Sequence, residues 1–182
     1  ILKSLVGTPV TILFQDADGV FRWFVNPQSV WAERDRTGTC EQDIFPPEAI
    51  AAMAKAKREA AETDEPRTVE VTAREAEKNG RIRKWILRLT FNTARDQETG
   101  TDGFICSCTD ITEQVQREQT LKNLLREVAH RSKNMLAMVM SLSAQTARVT
   151  PTKDEFVRRF TGRLQSLAKS QDVITDRDWR GS

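Results

Sequence analysis

Histidine is almost absent from this 182-residue sequence, which contains only His130. A site that needs two histidines of this chain is therefore excluded. So is a histidine-ligated haem in any segment that lacks His130. The three cysteines form no Cys-x-x-Cys pair and show no metal-ligand spacing. We therefore expect reduced thiols, a cytoplasmic location and no metal site.

Long apolar runs are also missing. The longest strictly apolar run is residues 135–140, whereas a membrane-spanning helix needs about 20 apolar residues. No charged N-terminal stretch leads into an apolar segment, so we expect neither a membrane span nor a secretory signal. With 38% hydrophobic and 30% charged residues, the chain still has enough apolar side chains to fold.

Charge divides the chain into two parts. Residues 1–112 carry 15 Lys and Arg against 18 Asp and Glu, whereas residues 113–182 carry 13 against 8. The charges of the basic part are dispersed, without a dense cluster or interleaved aromatic residues. We therefore expect no nucleic acid partner.

Residues 1–112 combine strand patterns with one helical stretch. Two β-branched and aromatic runs flank residues 16–19, a hairpin signal in which Gly19 is expected to have a positive φ. An alanine-rich helix is predicted over residues 48–63, after Pro46-Pro47. The predicted strands are residues 10–15, 20–25, 68–74, 81–91 and 103–108, with a tight turn at Asn79-Gly80. This order predicts an α+β domain with a five-stranded antiparallel sheet.

The predicted domain resembles a PAS domain, the sensory module of many signalling proteins. Residues 38–46 are similar to the turn that precedes the family's helices, and Asp110-Ile111-Thr112 is similar to its exit motif. The resemblance covers about residues 8–112 and implies a fold that many functions share.

The resemblance leaves the ligand of this domain unknown. A flavin photosensor of this fold would carry a segment like Asn-Cys-Arg-Phe-Leu, whereas Cys40 lies in Thr-Cys-Glu-Gln. We therefore expect no cysteine-adduct flavin, and the lack of histidine in residues 1–112 disfavours a histidine-ligated haem. A packed core that only dimerises or relays a signal and a core that binds an unidentified small ligand both stay open.

Residues 113–182 are predicted to form a helical hairpin. No proline or glycine occurs from Glu113 until Pro151, and seam residues recur at spacings of four and three. Thr152 and Glu155 form a capping box for a second helix. The seam residues are Leu121, Leu125, Val128, Ser132, Met135, Val139, Leu142 and Thr146, and those of the second helix are Phe156, Phe160, Leu164, Leu167 and Ile174. Because this seam is too broad for one hairpin, we predict a homodimeric four-helix bundle.

His130 lies on the outer face of the first predicted helix, opposite the seam. A lone surface histidine is usually passive, but polar residues three and four positions away share its face, among them Glu127, Lys133 and Asn134. A carboxylate one turn away can hold one imidazole nitrogen as N–H and leave the other free as a nucleophile. Arg131 and Lys133 are placed to attract the charge of a phosphoryl donor.

Residues 125–137 resemble the phosphoacceptor box of HWE-type sensor histidine kinases, whose signature runs His-Arg-x-Lys-Asn. This resemblance covers about residues 120–181. Further similar positions follow in order: Ser141, Gln145-Thr146, Phe160, Arg163-Leu164, Ser166-Leu167 and Trp179-Arg180-Gly181. The sequence departs from the family at Gln171, where a second histidine is common.

The resemblance implies the sensory and phosphoacceptor part of a two-component kinase. A separate catalytic domain would bind ATP and Mg²⁺ and phosphorylate His130, which would pass the group to an aspartate of a response regulator. Glu127 would orient the imidazole, Asn134 would hold a water during dephosphorylation, and Arg131 and Lys133 would contact phosphate or the partner. No glycine-rich phosphate loop and no Asp-x-Gly-x-Gly occurs in the sequence. We therefore expect the ATP-binding domain to be absent from this chain, which alone would be inactive.

Two other interpretations stay open. The chain could be a non-catalytic dimeric PAS module that binds a ligand or a partner and whose His130 is never phosphorylated. It could also be a histidine phosphotransfer protein, which carries phosphoryl groups between other proteins. The domain division that we predict is a PAS-like sensory domain over residues 1–112 and a helical hairpin over residues 113–182.

Overall fold

The computed structural model describes residues 8–76, 80–98 and 100–180, without the side chains of residues 75–76 and 171–180. Its elements are β1 (Val10–Asp16), β2 (Phe21–Val25), α1 (Pro47–Thr63), β3 (Arg67–Ala76), β4 (Ile82–Arg95), β5 (Asp102–Asp110), α2 (Thr112–Val149) and α3 (Lys153–Arg180). Two short 3-10 helices, Ser29–Trp31 and Glu41–Asp43, precede α1. The predictions for Asn79, Gly181 and the side chains of Gln171, Ile174, Trp179 and Arg180 lie outside what is described.

The five strands form one antiparallel sheet in the order β2-β1-β5-β4-β3. This confirms the predicted α+β domain with a five-stranded antiparallel sheet. Gly19 has the expected positive φ of 81° in the turn between β1 and β2. Strand β4 continues four residues beyond the predicted end, to Arg95, because β5 pairs with it as far as Asp102. Val20 lies outside β2 and instead forms an isolated bridge with Cys40.

The core lies on the sheet face covered by α1. Leu87, Leu89 and Phe91 of β4 are each at most 2% exposed. Each such side chain contributes about 1.5–3 kcal/mol by leaving water. Cys106 and Cys108 of β5 are buried on the same face. The predicted alternation of β4, with Ile86 on the opposite face, therefore holds in the structure.

Helix α1 begins with Pro47 at its first position, where a missing N–H costs no helical hydrogen bond. It ends at Thr63, because the next residue, Asp64, has a left-handed conformation. Its buried face consists of Ala49, Met53, Ala56, Lys57 and Ala60. Lys57 is the one charged residue in that buried set.

The chain divides into two compact units, with the division within α2, between Gln119 and Thr120. Within the described part of α2, Thr146 is the buried residue, whereas Leu121, Leu125 and Val128 are between 57% and 61% exposed. At the start of α3, the backbone N–H of Glu155 donates to the hydroxyl of Thr152 at 3.3 Å, one half of the predicted capping box. None of the helices, over the residues searched, is both long and apolar enough to cross a membrane.

Candidate phosphoacceptor site

His130 is exposed on α2, with Glu127 and Arg131 beside it. Arg131 donates a hydrogen bond from Nε to Oε1 of Glu127 at 2.8 Å, and both side chains are more than half exposed. This hydrogen bond and the charge of Arg131 lower the pKa of Glu127, to which the nearby His130 contributes less. Glu127 is therefore a carboxylate at neutral pH, held next to His130 by Arg131.

Asn134 and Lys133 are exposed one helical turn beyond His130. The structure thus brings the five predicted residues to one stretch of α2, and it directly joins two of them, Glu127 and Arg131. Within the described residues, no group of three or more His, Cys, Asp or Glu side chains is arranged to hold a metal ion.

Helices α2 and α3 meet near their connecting turn through buried and part-buried polar contacts. The hydroxyl of Thr146, which is fully buried, donates to the carbonyl of Leu142 at 2.7 Å. The same oxygen accepts a hydrogen bond from Nη1 of Arg163 on α3 at 3.2 Å. A groove of about 740 Å³ lies between the helices and includes Gln145 and Ser166 in its lining.

The cysteines of the sheet are built into the core. Burial raises the pKa of the Cys106 thiol well above its ordinary value, and it raises the pKa of Cys108 to about 12. Sγ of Cys108 accepts a hydrogen bond from Nε1 of Trp31 at 3.1 Å. Cys40 is partly exposed at the start of the Glu41–Asp43 helix. Neither buried cysteine is therefore an activated thiolate at neutral pH.

A buried ion pair lies between α1 and the second 3-10 helix. Nζ of Lys57 is 2.5 Å from Oε1 of Glu41, and the two side chains are 11% and 10% exposed. The same ammonium group lies 5.3 Å and 5.6 Å from the ring centres of Phe91 and Phe104. Nearby, the fully buried Gln15 donates to the carbonyl of Gly19 at 2.7 Å. No motif in the sequence indicates this cluster.

The exit motif forms a hydrogen-bond network at the start of α2. Oδ1 of Asp110 accepts hydrogen bonds from the N–H and the hydroxyl of Thr112, at 2.9 and 2.5 Å. Oδ2 accepts one from the hydroxyl of Ser29 at 2.5 Å. The Thr112 hydroxyl oxygen in turn accepts from the N–H of Ile86 at 2.8 Å. Burial alone would raise the pKa of Asp110, but the hydrogen bonds from Ser29 and Thr112 hold it below its ordinary value.

Ser29 has no sequence motif that marks it, and its contact with Asp110 joins residues 81 positions apart. A weak signal was available for Lys57, which lies four residues after Met53 and so falls on the apolar face of α1. No comparable signal in the sequence indicates Glu41 as its partner.

Two family models match this chain. Residues 5–116 match the PAS fold model. The chain belongs to the PAS fold family. Residues 127–182 match the HWE histidine kinase model, so this part of the PAS protein is similar to the HWE kinases. Both resemblances found in the sequence are confirmed.

Curated relatives of this PAS protein are named blue-light-activated histidine kinases. Those of Brucella ovis (strain ATCC 25840 / 63/290 / NCTC 10512) and Brucella abortus (strain 2308) are 37% identical to it over 73 residues. The aligned segment is 40% of this chain and 15% of the relatives' length. The chain thus aligns with a small part of these relatives.

Solved structures similar to this PAS protein include two bacterial proteins. The PAS domain of a Colwellia psychrerythraea protein has a TM-score of 0.47 and 15% identity, over 61% of this chain and 93% of that one. A sensory box histidine kinase/response regulator from Burkholderia thailandensis has a TM-score of 0.48 and 14% identity, over 70% of this chain and 96% of that one.

Proposed function

We propose that this chain is the sensory and phosphoacceptor part of a two-component sensor histidine kinase, with His130 as the phosphoacceptor. The observation that carries this proposal is the position of the His-Arg-Ser-Lys-Asn box. It lies on an exposed stretch of α2, inside the segment that matches the HWE kinases. An acceptor that must meet first a kinase domain and then a response regulator has to be exposed to both.

The chemistry assigned to this stretch is nucleophilic phosphoryl transfer. One imidazole nitrogen of His130 attacks the γ-phosphorus of ATP, an N–P bond forms, and the bond to the ADP oxygen breaks. Glu127 accepts a hydrogen bond from the other ring nitrogen and stabilises the positive charge that develops on the ring. Arg131 holds Glu127 in place and, with Lys133, attracts the negatively charged phosphate groups. ATP and Mg²⁺ are bound by a separate catalytic domain, and this chain alone does not phosphorylate itself.

The second transfer moves the phosphoryl group from His130 to an aspartate of a response-regulator receiver domain. Asn134, one turn away on the helix, holds the water that attacks the resulting acyl phosphate when the regulator is dephosphorylated. In this scheme residues 1–112 are the sensory domain and residues 113–182 the phosphotransfer hairpin, and the protein acts in the cytoplasm.

We also propose that the active form is a homodimer through α2 and α3. Leu121, Leu125 and Val128 follow the heptad spacing and stay more than half exposed in the single chain. An exposed apolar seam of this kind is stabilised by a second helix pair.

The name of the Brucella relatives raises the question of a flavin in this PAS domain. A photochemical adduct needs a reactive cysteine at the flavin. Here Cys106 and Cys108 are buried with raised pKa values, and Cys108 is hydrogen-bonded to Trp31. Cys40, the third cysteine, lies in Thr-Cys-Glu-Gln rather than in a segment like Asn-Cys-Arg-Phe-Leu. We therefore propose that a flavin bound here forms no cysteine adduct. The one histidine lies in α2, so no histidine of the PAS domain is available to ligate haem.

Flavin binding is tested by refolding the protein with flavin mononucleotide and recording its visible spectrum in the dark and after blue illumination. We expect any bound flavin to keep its visible band. A reversible loss of that band on illumination, abolished by replacing one of the three cysteines with alanine, would contradict the proposal.

The function is tested by supplying an active ATP-binding domain of an HWE kinase in trans, with labelled ATP. We expect acid-labile, base-stable label on the protein and on its Arg126→Gln variant, a control on the same helix, and none on His130→Gln. Labelled protein should then lose its label to a response-regulator receiver domain. With a donor shown to be active, no label on the unaltered protein would favour the non-catalytic dimeric PAS module instead.

A further inference from the structure

One short segment contacts both the interior of the PAS domain and the first residues of α2. This segment is the 3-10 helix Ser29–Trp31. Trp31, which is 4% exposed, packs edge-on against Phe21 with ring centres 5.2 Å apart. Its Nε1 donates to Sγ of Cys108. Trp31 is therefore held by both the aromatic core and the central strand β5.

Ser29 lies two residues before Trp31 in the same 3-10 helix. Its φ is +51°, a left-handed conformation that side-chain-bearing residues seldom adopt. In this conformation its hydroxyl donates to Oδ2 of Asp110 at 2.5 Å. Since Asp110 also accepts two hydrogen bonds from Thr112, the carboxylate connects Ser29 to the first residue of α2.

We propose that Ser29 is the positioning residue that couples the aromatic core of the PAS domain to the first turn of α2. A displacement of Trp31 moves Ser29 and takes its hydroxyl away from Asp110. The carboxylate then loses its fixed orientation toward Thr112. Thr112 in turn is the acceptor for the N–H of Ile86, so the contact between β4 and the start of α2 loosens as well.

The consequence for signalling rests on the proposed function, because α2 is the helix that carries His130. The coupling itself does not depend on phosphorylation. The coupling consists of the hydrogen bonds around Asp110, and it is tested without ATP.

The coupling is tested by amide hydrogen exchange, read residue by residue by NMR, in Ser29→Ala and Ser29→Gly. Both variants remove the hydroxyl, and only glycine also relieves the left-handed backbone. The N–H of Val115 donates to the carbonyl of Ile111 at 2.9 Å and so reports on the first turn of α2. We expect the N–H groups of Ile86, Thr112 and Val115 to exchange about tenfold faster in both, the effect of losing one hydrogen bond to a charged group. The matched control is Thr68→Ala, which removes a side-chain hydrogen bond of 2.9 Å to Thr90 on the same sheet.

A second variant tests the connection to the core. Trp31→Phe keeps an aromatic ring but removes the donor to Cys108. We expect faster exchange at Ile86, Thr112 and Val115. In the double variant of Trp31→Phe with Ser29→Ala, the effect on exchange should be smaller than the sum of the two single effects. Urea unfolding of each variant separates local exchange from global destabilisation. Exchange in Ser29→Ala no faster than in Thr68→Ala, or additive effects in the double variant, would overturn the coupling.

The same variants are then labelled in trans from ATP to test the signalling consequence. We expect Ser29→Ala to change the rate at which His130 is labelled, whereas Thr68→Ala leaves it unchanged. Equal rates in all variants, with faster amide exchange in Ser29→Ala, would overturn control of His130 through Ser29. Failure to label His130 in any protein would instead refute the proposed function, and the exchange data would still decide the coupling.

Discussion

The buried pair of Lys57 and Glu41 gives the sharpest test of the forces that hold the PAS domain together. Replacing Lys57 with methionine keeps most of the side-chain volume and removes the charge. It leaves the Glu41 carboxylate, in a side chain 10% exposed, without the ammonium group 2.5 Å away. It also removes the cation contacts to the rings of Phe91 and Phe104.

The expected loss of stability follows from the environment of the pair. Breaking a buried ion pair by removing one partner costs about 3–5 kcal/mol, a large part of the roughly 5–15 kcal/mol that stabilises a whole domain. The exposed pair Arg88–Glu70 is the matched control, with an Nη2–Oε1 distance of 2.8 Å and side chains 44% and 50% exposed. Arg88→Met should cost only about 0.2–1 kcal/mol, because solvent screens exposed pairs.

The assay is urea unfolding at neutral pH, followed by tryptophan fluorescence and near-ultraviolet circular dichroism. Lys57→Met should lower the unfolding free energy several times more than Arg88→Met does. Adding Glu41→Leu to Lys57→Met should restore much of the loss, since an apolar pair needs no charged partner. A large cost of breaking the buried pair is refuted if Lys57→Met costs no more than Arg88→Met, or if the double variant is less stable than Lys57→Met.

Three further outcomes are expected. Replacing Glu127 with glutamine should shift the neutral His130 ring toward the Nε2–H tautomer. The tautomer is measured by ¹⁵N NMR, in which the signal is unambiguous because the chain has one histidine. An unchanged tautomer ratio would show that Glu127 does not orient the ring. The pKa of Asp110 is lower in the folded protein than its ordinary value of 3.8. The ionised Asp110 therefore stabilises the fold at a pH above 3.8, and this stabilisation is lost as the pH falls through the lower pKa of the folded state. Amide exchange at the start of α2, corrected for its intrinsic pH dependence, should therefore rise on acidification, and a flat corrected profile would contradict this. Thr146→Val should lower the stability of the hairpin by about 1 kcal/mol, because Arg163 loses its hydrogen-bond acceptor. Thermal unfolding measures this loss, and unchanged stability would show that the contact contributes nothing.

The strands of the PAS domain could be predicted because their information is local. Residues of β4 alternate between a buried and a less buried face, and the alternation identifies both the strand and its core side. The ends of the strands were harder to predict. Residues 92–95 carry no apolar alternation, and they are in β4 because β5 supplies pairing partners for them.

The polar contacts of the core could not be predicted, because each joins residues that are distant in sequence. Glu41 and Lys57 are 16 residues apart, and Ser29 and Asp110 are 81 apart. Sequence patterns report which face of an element is apolar, but a charged residue on that face only shows that some partner is required. Identifying the partner needs the packing of the elements, which the structure provides.

The candidate site, by contrast, could be predicted from the sequence because its residues lie close together in the chain. Glu127, His130, Arg131 and Asn134 lie within three turns of one helix, so their spacing alone gives their relative positions. The spacing could not predict which neighbouring group each flexible side chain contacts. Arg131 pairs with Glu127 in the structure, and since both are exposed, the pair is worth little energy. The pair therefore sets the position of Glu127 beside His130 and contributes little to the stability of the helix.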